Sequence, residues 1–558
     1  MTLSRRQALA AGLAAPLAAT LSAPLPSAAH ASAAPAKEPE GITTPPDLVV
    51  QTPAGRVRGY QRDGIRIFKG IPYGADTSGS NRFMPPKPAT PWPGTRLAMS
   101  AGAACPQPPD RASPSPLAFV LQRNFTALDE DCLNLNIWTP GTDAKPRPVM
   151  VWLHGGEFTT GSSLELAAYD GEALARRGDV VVVSINHRLN LLGYLDLASV
   201  GAPAEFASAA NVGMLDIVFA LQWLRDTVAA FGGDPGNVTI FGQSGGGLKV
   251  TTLCAMPSAV GLFHKAIVQS GSESKVFTRD LTQPLARALL DEVQIAPADA
   301  ARLQQVPIDR LVAAGHKVNT AWGAKYGGDI WKLVGWAPVI DGTIIPASPY
   351  EAASARYSAP VPLMVGTVRH EFVLSAFSAD ADRMTLAAVR KALATNYKDP
   401  DALVAAFSRA YPDENPAGIM AMISAASFNR INAIEQAQTK TRLGATPAYL
   451  YRFDWVTPML QGVPHAYHCA ELPFVFNSID TANQAAGTGP DVRRLADRMS
   501  DAWIAFARTG NPNHPGIPHW PSVTRDKAPA MIFDTACTVE ADAEWDLLEL
   551  VRKNRKWA

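Results

Sequence analysis

The stretch Asn237–Gly247, NVTIFGQSGGG, decides the fold of this chain. Its apolar, β-branched first half predicts a buried strand, and the proline-free apolar run that follows predicts a helix. Between them, Gly242–Gly246 has the form G-x-S-x-G, in which the outer glycines permit a turn too tight for side chains. This turn lifts the Ser244 hydroxyl out of the backbone and directs the amides of a helix N-terminus toward it. The stretch therefore predicts a serine nucleophile on an α/β fold.

Continuous apolar runs before this stretch predict a parallel sheet. Val149–Leu153 and Val180–Ile185 are strands of the kind that helices cover on both faces. Between Asn211 and Gly232, apolar residues recur at helical spacing, which predicts a helix before the serine strand. Strand, helix and strand form a βαβ unit, and such units stack into a doubly wound sheet.

Leu281–Ser424 is mostly helical in pattern, and it predicts an insertion over the strand ends where such sheets carry their sites. Trp322, Trp331 and Trp336 lie near loops of this part of the chain. Two interpretations of these aromatic residues stay open, the lining of an apolar substrate gorge and ordinary core packing.

Composition excludes some classes of partner. The chain has 558 residues, 47% of them hydrophobic, with 50 basic and 50 acidic side chains, so it can bury a large core. With no net charge and no basic stripe, we expect no nucleic-acid partner.

The N-terminus has the features of an export signal. Arg5-Arg6 precedes an Ala-rich apolar stretch and small-residue cleavage sites, which predicts a twin-arginine-like signal peptide over residues 1–33. Residues 34–46 follow as a linker and 47–558 as one hydrolase domain, exported to the periplasm or secreted. A disordered Ala/Pro tail is the alternative for the first segment. No later apolar run reaches the roughly 18 residues of a membrane span.

A serine hydroxyl needs a base, and the base needs a carboxylate to orient it. In sheets of this kind both follow the serine along the chain, the acid first. His465 and His468 lie on a loop that runs into an apolar segment, and the local pattern does not choose between them. Glu371 follows the strand Pro362–Val365, at the edge that faces the same rim as Ser244, with a solvated surface glutamate as the alternative.

Acyl transfer also needs donors for the oxyanion, each worth about 3–4 kcal/mol. Gly155, Gly156 and Glu157 follow a predicted strand and match an HGGG-type element, with a plain turn as the alternative. We expect the amides of Gly156, Glu157 and Gly245 to form the oxyanion hole.

No metal site is expected. His370-Glu371 begins like the zinc motif H-E-x-x-H, but the fifth position is Leu374. No Cys/His cluster has the spacing of metal ligands.

Together these motifs resemble the type-B carboxylesterase family, which also contains the cholinesterases and the p-nitrobenzyl esterases. The similar segments span nearly the whole chain after the signal and include FKGIPYG, EDCLNLNIWTP, HGGEF, FGGDPGNVTIFGQSGGG, HCAELPFVF and WIAFARTGNPN. The resemblance implies an α/β-hydrolase fold, with a large, mostly parallel central sheet flanked by helices and helical insertions over the active site. It also implies hydrolysis of carboxylic esters through an acyl-enzyme, without a cofactor. We expect the substrates to be small to medium, mostly apolar esters.

The resemblance assigns the site residues. Ser244 is the nucleophile, and the base is His468 rather than its neighbour because the family's histidine precedes a glutamate by three positions, here Glu471. The family pattern G-T-x-x-x-E, which starts at Gly366, selects Glu371 as the acid.

The chain departs from the family pattern at two places, and the resemblance also implies a disulfide. Glu157 stands where the family usually has a small residue, and His370 and Phe372 replace the residues that flank the catalytic glutamate. The resemblance pairs Cys105 with Cys132, which leaves Cys254, Cys469 and Cys537 outside the bridge.

Two alternatives to ester hydrolysis stay open. One is hydrolysis of amides or carbamates at the same site, and the other is a non-catalytic esterase-like binding protein.

Overall fold

The structure, a computed structural model, describes residues 41–108, 114–124, 127–272, 278–326, 335–444, 446–541 and 544–556. The predicted signal peptide, most of the predicted linker and Trp331 lie outside these residues.

The strands form one large mixed sheet and one small sheet. Their bounds are β1 Ile42–Thr43, β2 Val49–Thr52, β3 Gly55–Arg58, β4 Tyr60–Arg62, β5 Ile65–Pro72, β6 Thr95–Leu97, β7 Asn134–Thr139, β8 Arg147–Leu153, β9 Val181–Ile185, β10 Gly233–Gln243, β11 Lys265–Gln269, β12 Leu363–Val368, β13 Ala448–Phe453, β14 Ala530–Phe533 and β15 Thr538–Glu540. The large sheet has the order β1-β4-β5-β7-β9-β8-β10-β11-β12-β13-β14-β15, and β2, β3 and β6 form the small one.

The centre of the large sheet is parallel, from β9 through β14, whereas β1, β4, β5 and β7 on one side and β15 on the other pair antiparallel. The predicted α/β-hydrolase class, with its mostly parallel central sheet, is therefore confirmed. The strand β10 lies between β8 and β11, with Gly242 paired to Leu153 and Val268. This register places the loop after β8 beside Ser244.

Alternation along the central strands explains why helices cover both faces. In β8, Val149 and Val151 join one apolar cluster, while Met150 and Trp152 join the other. Successive side chains of a strand point to opposite faces, so an uninterrupted apolar run is buried on both sides.

Helices fill the connections between strands. The α-helices are Pro116–Val120, Glu172–Gly178, Asn190–Tyr194, Val212–Thr227, Gly245–Leu253, Arg279–Val293, Ile308–Tyr326, Ala352–Ala355, Leu374–Phe377, Leu386–Leu393, Pro400–Ala410, Pro416–Ala425, Ile431–Leu443, Leu472–Val475, Asn483–Ala486, Pro490–Thr509 and Trp545–Asn554. Short 3-10 turns and one π-helical turn, Ala426–Arg430, lie between them. The predicted helix between Asn211 and Gly232 is confirmed as Val212–Thr227.

The predicted helical insertion is also present, since the helices between Arg279 and Leu443 are interrupted mainly by β12. Trp322 and Trp336 are buried in the apolar core. Trp336 also lines the larger of the two cavities described below, so the two interpretations of this residue are compatible.

One helical stretch of the described chain, Ala204–Phe231, is long and apolar enough to cross a membrane, with a mean hydropathy of 1.4. This evidence is weak, because 67% of its most apolar window is buried inside the protein and a buried core helix meets the same criteria.

Candidate active site

The serine lies at a strained turn between β10 and the helix Gly245–Leu253. Ser244 has φ 56° and ψ −124°, and its amide donates to the Gln269 carbonyl of the neighbouring strand at 2.8 Å. A Cβ on Gly242 would lie 2.5 Å from the backbone of Gly246, and one on Gly246 would collide with the Leu153 carbonyl. The two glycines of the motif are therefore required sterically, as the sequence predicted.

The glycine loop after β8 packs directly on this turn. Gly156 and Glu157 both have positive φ, 78° and 57°. The backbone of Glu157 lies so close to Gly245 that any side chain on Gly245 would collide with it. These three residues, whose amides the sequence assigned to the oxyanion hole, are thus neighbours, and Gly156 and Glu157 line one cavity with Ser244.

A histidine and a carboxylate meet in the same cavity. His468 Nδ1 donates to Glu371 Oε2 at 2.5 Å. The other carboxylate oxygen, Glu371 Oε1, accepts from the Val368 amide at 3.1 Å, and the Glu371 carbonyl accepts from the His468 amide at 2.8 Å. Phe372 stacks on the imidazole with ring centroids 4.1 Å apart. His468 is therefore held by its Nδ1 atom, by its backbone amide and by the stacking of Phe372 on one face of its ring.

The second nitrogen of this imidazole contacts a residue that the sequence reasoning missed. His468 Nε2 lies 3.2 Å from Gln243 Nε2, so the unprotonated nitrogen accepts from the amide. Gln243 Oε1 in turn accepts from Cys469 Sγ at 3.1 Å. Within the described part of the chain, the Ser244 hydroxyl has no hydrogen bond to the ring. Proton transfer from Ser244 therefore requires His468 to exchange the amide for the hydroxyl.

Two further ionisable groups are buried beside the site. Glu471 accepts from Gln269 Nε2 at 3.1 Å, and burial raises the pKa of its carboxyl to about 7. Lys249 donates to the His154 carbonyl at 2.9 Å, behind the glycine loop, and burial lowers the pKa of its ammonium group to about 7. No sequence pattern indicated that Lys249 is buried, since a lysine in a short helix is usually on the surface.

The other candidate histidine, His465, contacts different carboxylates. His465 Nε2 lies 3.2 Å from Asp382 Oδ1, and its Nδ1 lies 3.4 Å from Glu414 Oε1. Burial by itself lowers the pKa of His465, but its hydrogen bonds to these two carboxylates outweigh burial and raise it. The structure therefore brings His468 to Glu371 and keeps His465 in a separate cluster.

That cluster has the residue types of a metal site but a different hydrogen-bond pattern. Ligand atoms of His370, Glu414 and His465 lie within 4.8 Å of one another. His370 Nδ1 accepts from the Ala466 amide at 3.3 Å, so its Nε2 carries the proton and donates to Glu414 Oε2 at 3.1 Å. Arg369 Nη2 lies 3.2 Å from the same oxygen. A protonated nitrogen and a neighbouring guanidinium both disfavour a cation, so we interpret the cluster as a hydrogen-bonded network.

Two adjoining cavities open at the site. The smaller, about 320 Å³, is lined by the candidate catalytic residues and by the apolar side chains Leu117, Leu121, Phe372 and Phe377. The larger, about 920 Å³, shares four lining residues with it, namely Arg123, Thr159, Thr160 and Glu165.

The predicted disulfide is not formed in the structure. Cys105 and Cys132 are buried free thiols, and Cys254, Cys469 and Cys537 are free thiols that are only partly buried. A hydrogen bond to Cys105, together with burial, raises the pKa of the Cys132 thiol, so the two sulfurs are adjacent.

Comparison with known proteins places this geometry in a family. The model of the carboxylesterase family matches residues 46–545. The chain is 34% identical over 501 residues to the para-nitrobenzyl esterase of Bacillus subtilis, which covers 89% of this chain and 96% of that protein. It superposes with a TM-score of 0.79 on an esterase from Clostridium hathewayi that can hydrolyse aliphatic aromatic polyesters, at 38% identity over 92% of this chain and 99% of the other.

A carboxylesterase of Geobacillus stearothermophilus superposes with a TM-score of 0.75 at 33% identity, over 90% of this chain and 99% of the other. The family match covers far more than half of the chain. The similar proteins are esterases, and the chain aligns with almost their full length. The chain therefore belongs to the carboxylesterase family and is an α/β-hydrolase that cleaves carboxylic esters.

Proposed function

We propose that Ser244 attacks the ester carbonyl while His468 accepts its proton and Glu371 orients the imidazole. The observation that supports this assignment is the 2.5 Å hydrogen bond from His468 Nδ1 to Glu371, in a cavity that Ser244 also lines. With Nδ1 protonated and bound to the carboxylate, Nε2 is unprotonated, and it becomes the base that a serine nucleophile needs once it exchanges the Gln243 amide for the Ser244 hydroxyl. The imidazolium formed then protonates the leaving alcohol, and the serine remains acylated.

The negative charge on the carbonyl oxygen needs donors that are already in place. The amides of Gly156, Glu157 and Gly245 are the groups we assign to it, each worth about 3–4 kcal/mol. The positive φ of Gly156 and Glu157 and the contact of Glu157 with Gly245 support this assignment. Water, activated by His468, then hydrolyses the acyl-enzyme and restores the hydroxyl.

Cavity size and lining support small to medium, mostly apolar esters as substrates. The cavity beside Ser244 holds about 320 Å³, which suits one short acyl or alcohol group, and Phe372 and Phe377 present apolar surface to it. The adjoining cavity of about 920 Å³ offers room for a larger group on the other side of the carbonyl.

A phosphonate inhibitor and graded p-nitrophenyl esters test this function. We expect a p-nitrophenyl alkylphosphonate to abolish turnover and to leave one adduct on the peptide that contains Ser244, because the tetrahedral phosphonate imitates the transition state. Turnover of the acetate through octanoate esters, before and after inhibition, would give the chain-length preference. An adduct on a different residue would refute the assignment of the nucleophile.

We further propose that the protein is exported, that residues 1–33 are removed, and that Cys105 and Cys132 then form a disulfide. The adjacency of the two buried thiols supports the bridge, and the paired arginines support the export route. For protein recovered from outside the cytoplasm, we expect a mature N-terminus near residue 34 and three titratable thiols after denaturation. Five titratable thiols there would contradict the bridge.

A further inference from the structure

Glu157 presents an unpaired carboxylate to the active-site cavity. Its backbone belongs to the loop assigned to the oxyanion hole, and its side chain is exposed and lines the same cavity as Ser244. Within the described residues, the Glu157 carboxylate has no hydrogen bond and no ion pair. Surface glutamates commonly lack partners, but this one lies beside the position of the scissile carbonyl.

Among the residues that the structure describes, no cation contacts this carboxylate. Two side chains influence it electrostatically, those of His468 and the buried Lys249. The Nδ1–H of His468 already donates a hydrogen bond to Glu371, and the ammonium of Lys249 donates to the His154 carbonyl. Burial lowers the pKa of Lys249 to about 7, so above neutral pH a large part of its charge is lost.

The cavity wall as a whole also carries more negative than positive side chains. Glu165 and Arg123 line it with opposite charges, and Glu371 and Glu157 add two carboxylates, of which Glu371 is paired with His468. The surrounding protein raises the pKa of the Glu157 carboxyl, although the side chain is accessible to water in the cavity. A carboxylate in such a place interacts more strongly with a bound charge than one on an open surface.

We infer that Glu157 determines specificity by charge, favouring esters with a quaternary or primary ammonium group near the scissile carbonyl and disfavouring esters with an anionic group there. This inference rests on the proposed placement of Ser244 and the oxyanion hole. The cationic group would supply a partner for the carboxylate, whereas an anionic group would be repelled by it.

Isosteric ester pairs test this inference. Choline butyrate and 3,3-dimethylbutyl butyrate differ only in a positive charge on the alcohol side. The p-nitrophenyl esters of 4-(trimethylammonio)butyrate and 5,5-dimethylhexanoate differ in the same way on the acyl side. For at least one pair, we expect the ratio of kcat/KM, cationic over neutral, to fall about tenfold in Glu157→Gln. The ratio cancels any common effect of the substitution on the oxyanion hole.

Two further variants and a pH series serve as controls. Glu157→Asp keeps the charge and should keep the preference, whereas Glu205→Gln removes an exposed carboxylate outside the cavity and should leave both ratios at the wild-type value. In the wild-type enzyme, the preference should weaken as the pH falls toward the raised pKa of Glu157, because protonation removes the charge.

The outcomes separate this inference from the function on which it rests. Ratios in Glu157→Gln equal to those of the wild type for both pairs, or a wild-type preference that does not change with pH, would overturn the inference while turnover of the neutral esters supports the proposed function. Failure of the wild-type enzyme to hydrolyse the neutral esters would instead count against the proposed function.

Discussion

Replacement of Ser244 with alanine should lower kcat on p-nitrophenyl acetate by about 10⁶-fold, because the nucleophile, base and acid act as a unit. Without the hydroxyl no acyl-enzyme forms, and the only remaining route is direct attack by water with help from the oxyanion donors. That residual route should still exceed the uncatalysed rate by about 10³–10⁴-fold. Steady-state and burst-phase kinetics on the purified variant measure both quantities.

Ser270 offers a matched control for this substitution. Ser244 and Ser270 each follow a glutamine at the carboxyl end of neighbouring parallel strands, and both have positive φ, 56° and 48°. Ser270 is buried and does not line the cavity. Ser270→Ala should therefore retain turnover within a few-fold of the wild type. A loss of only a few-fold in Ser244→Ala would mean that the nucleophile is another residue.

Replacement of His468 with alanine should also lower kcat by about 10⁶-fold, whereas His465→Ala should lower it less than about tenfold. The two histidines are three positions apart in one loop, so the pair separates catalysis from local disturbance. Only the His468 ring is hydrogen-bonded to Glu371, at 2.5 Å, while the His465 ring binds Asp382 and Glu414.

His465→Ala should affect stability more than activity. His465→Ala leaves the mostly buried carboxylate of Glu414 without one of its partners, which costs about 1–3 kcal/mol of unfolding free energy. Urea denaturation of both variants, measured together with kcat, checks the two effects. Equal losses of kcat in the two variants, or a larger loss in His465→Ala, would reject His468 as the base.

The serine turn and the central sheet could be predicted from the sequence because a tight turn and a strand buried on both faces each leave a local pattern. A side chain on Gly242 would collide with the backbone of Gly246, four positions along the chain, whereas one on Gly246 would collide with the Leu153 carbonyl of the neighbouring strand. The apolar runs of β8 and β9 lie within one or two residues of their predicted bounds, since burial on both faces leaves a continuous apolar pattern.

The local sequence pattern could not choose between His465 and His468. Both residues lie on the same loop, and nothing in the residues around them distinguishes the two without the family's spacing to Glu471. The structure separates them through a contact of distant segments, in which the His468 amide donates to the Glu371 carbonyl at 2.8 Å. This contact aligns the two loops and brings one ring, not the other, to the carboxylate.

The sequence by itself determined the α/β class, the serine at its tight turn and the glycine loop, because each depends on neighbours along the chain. Only the tertiary structure decided that Gln243 contacts His468, that Lys249 is buried behind the loop and that Glu157 lines the cavity with no partner among the described residues. The physical reason is that the register of parallel strands and the packing of insertions set the distances between these side chains. Those distances depend on residues far apart along the chain, 95 positions for Lys249 and His154 and 225 for Gln243 and His468.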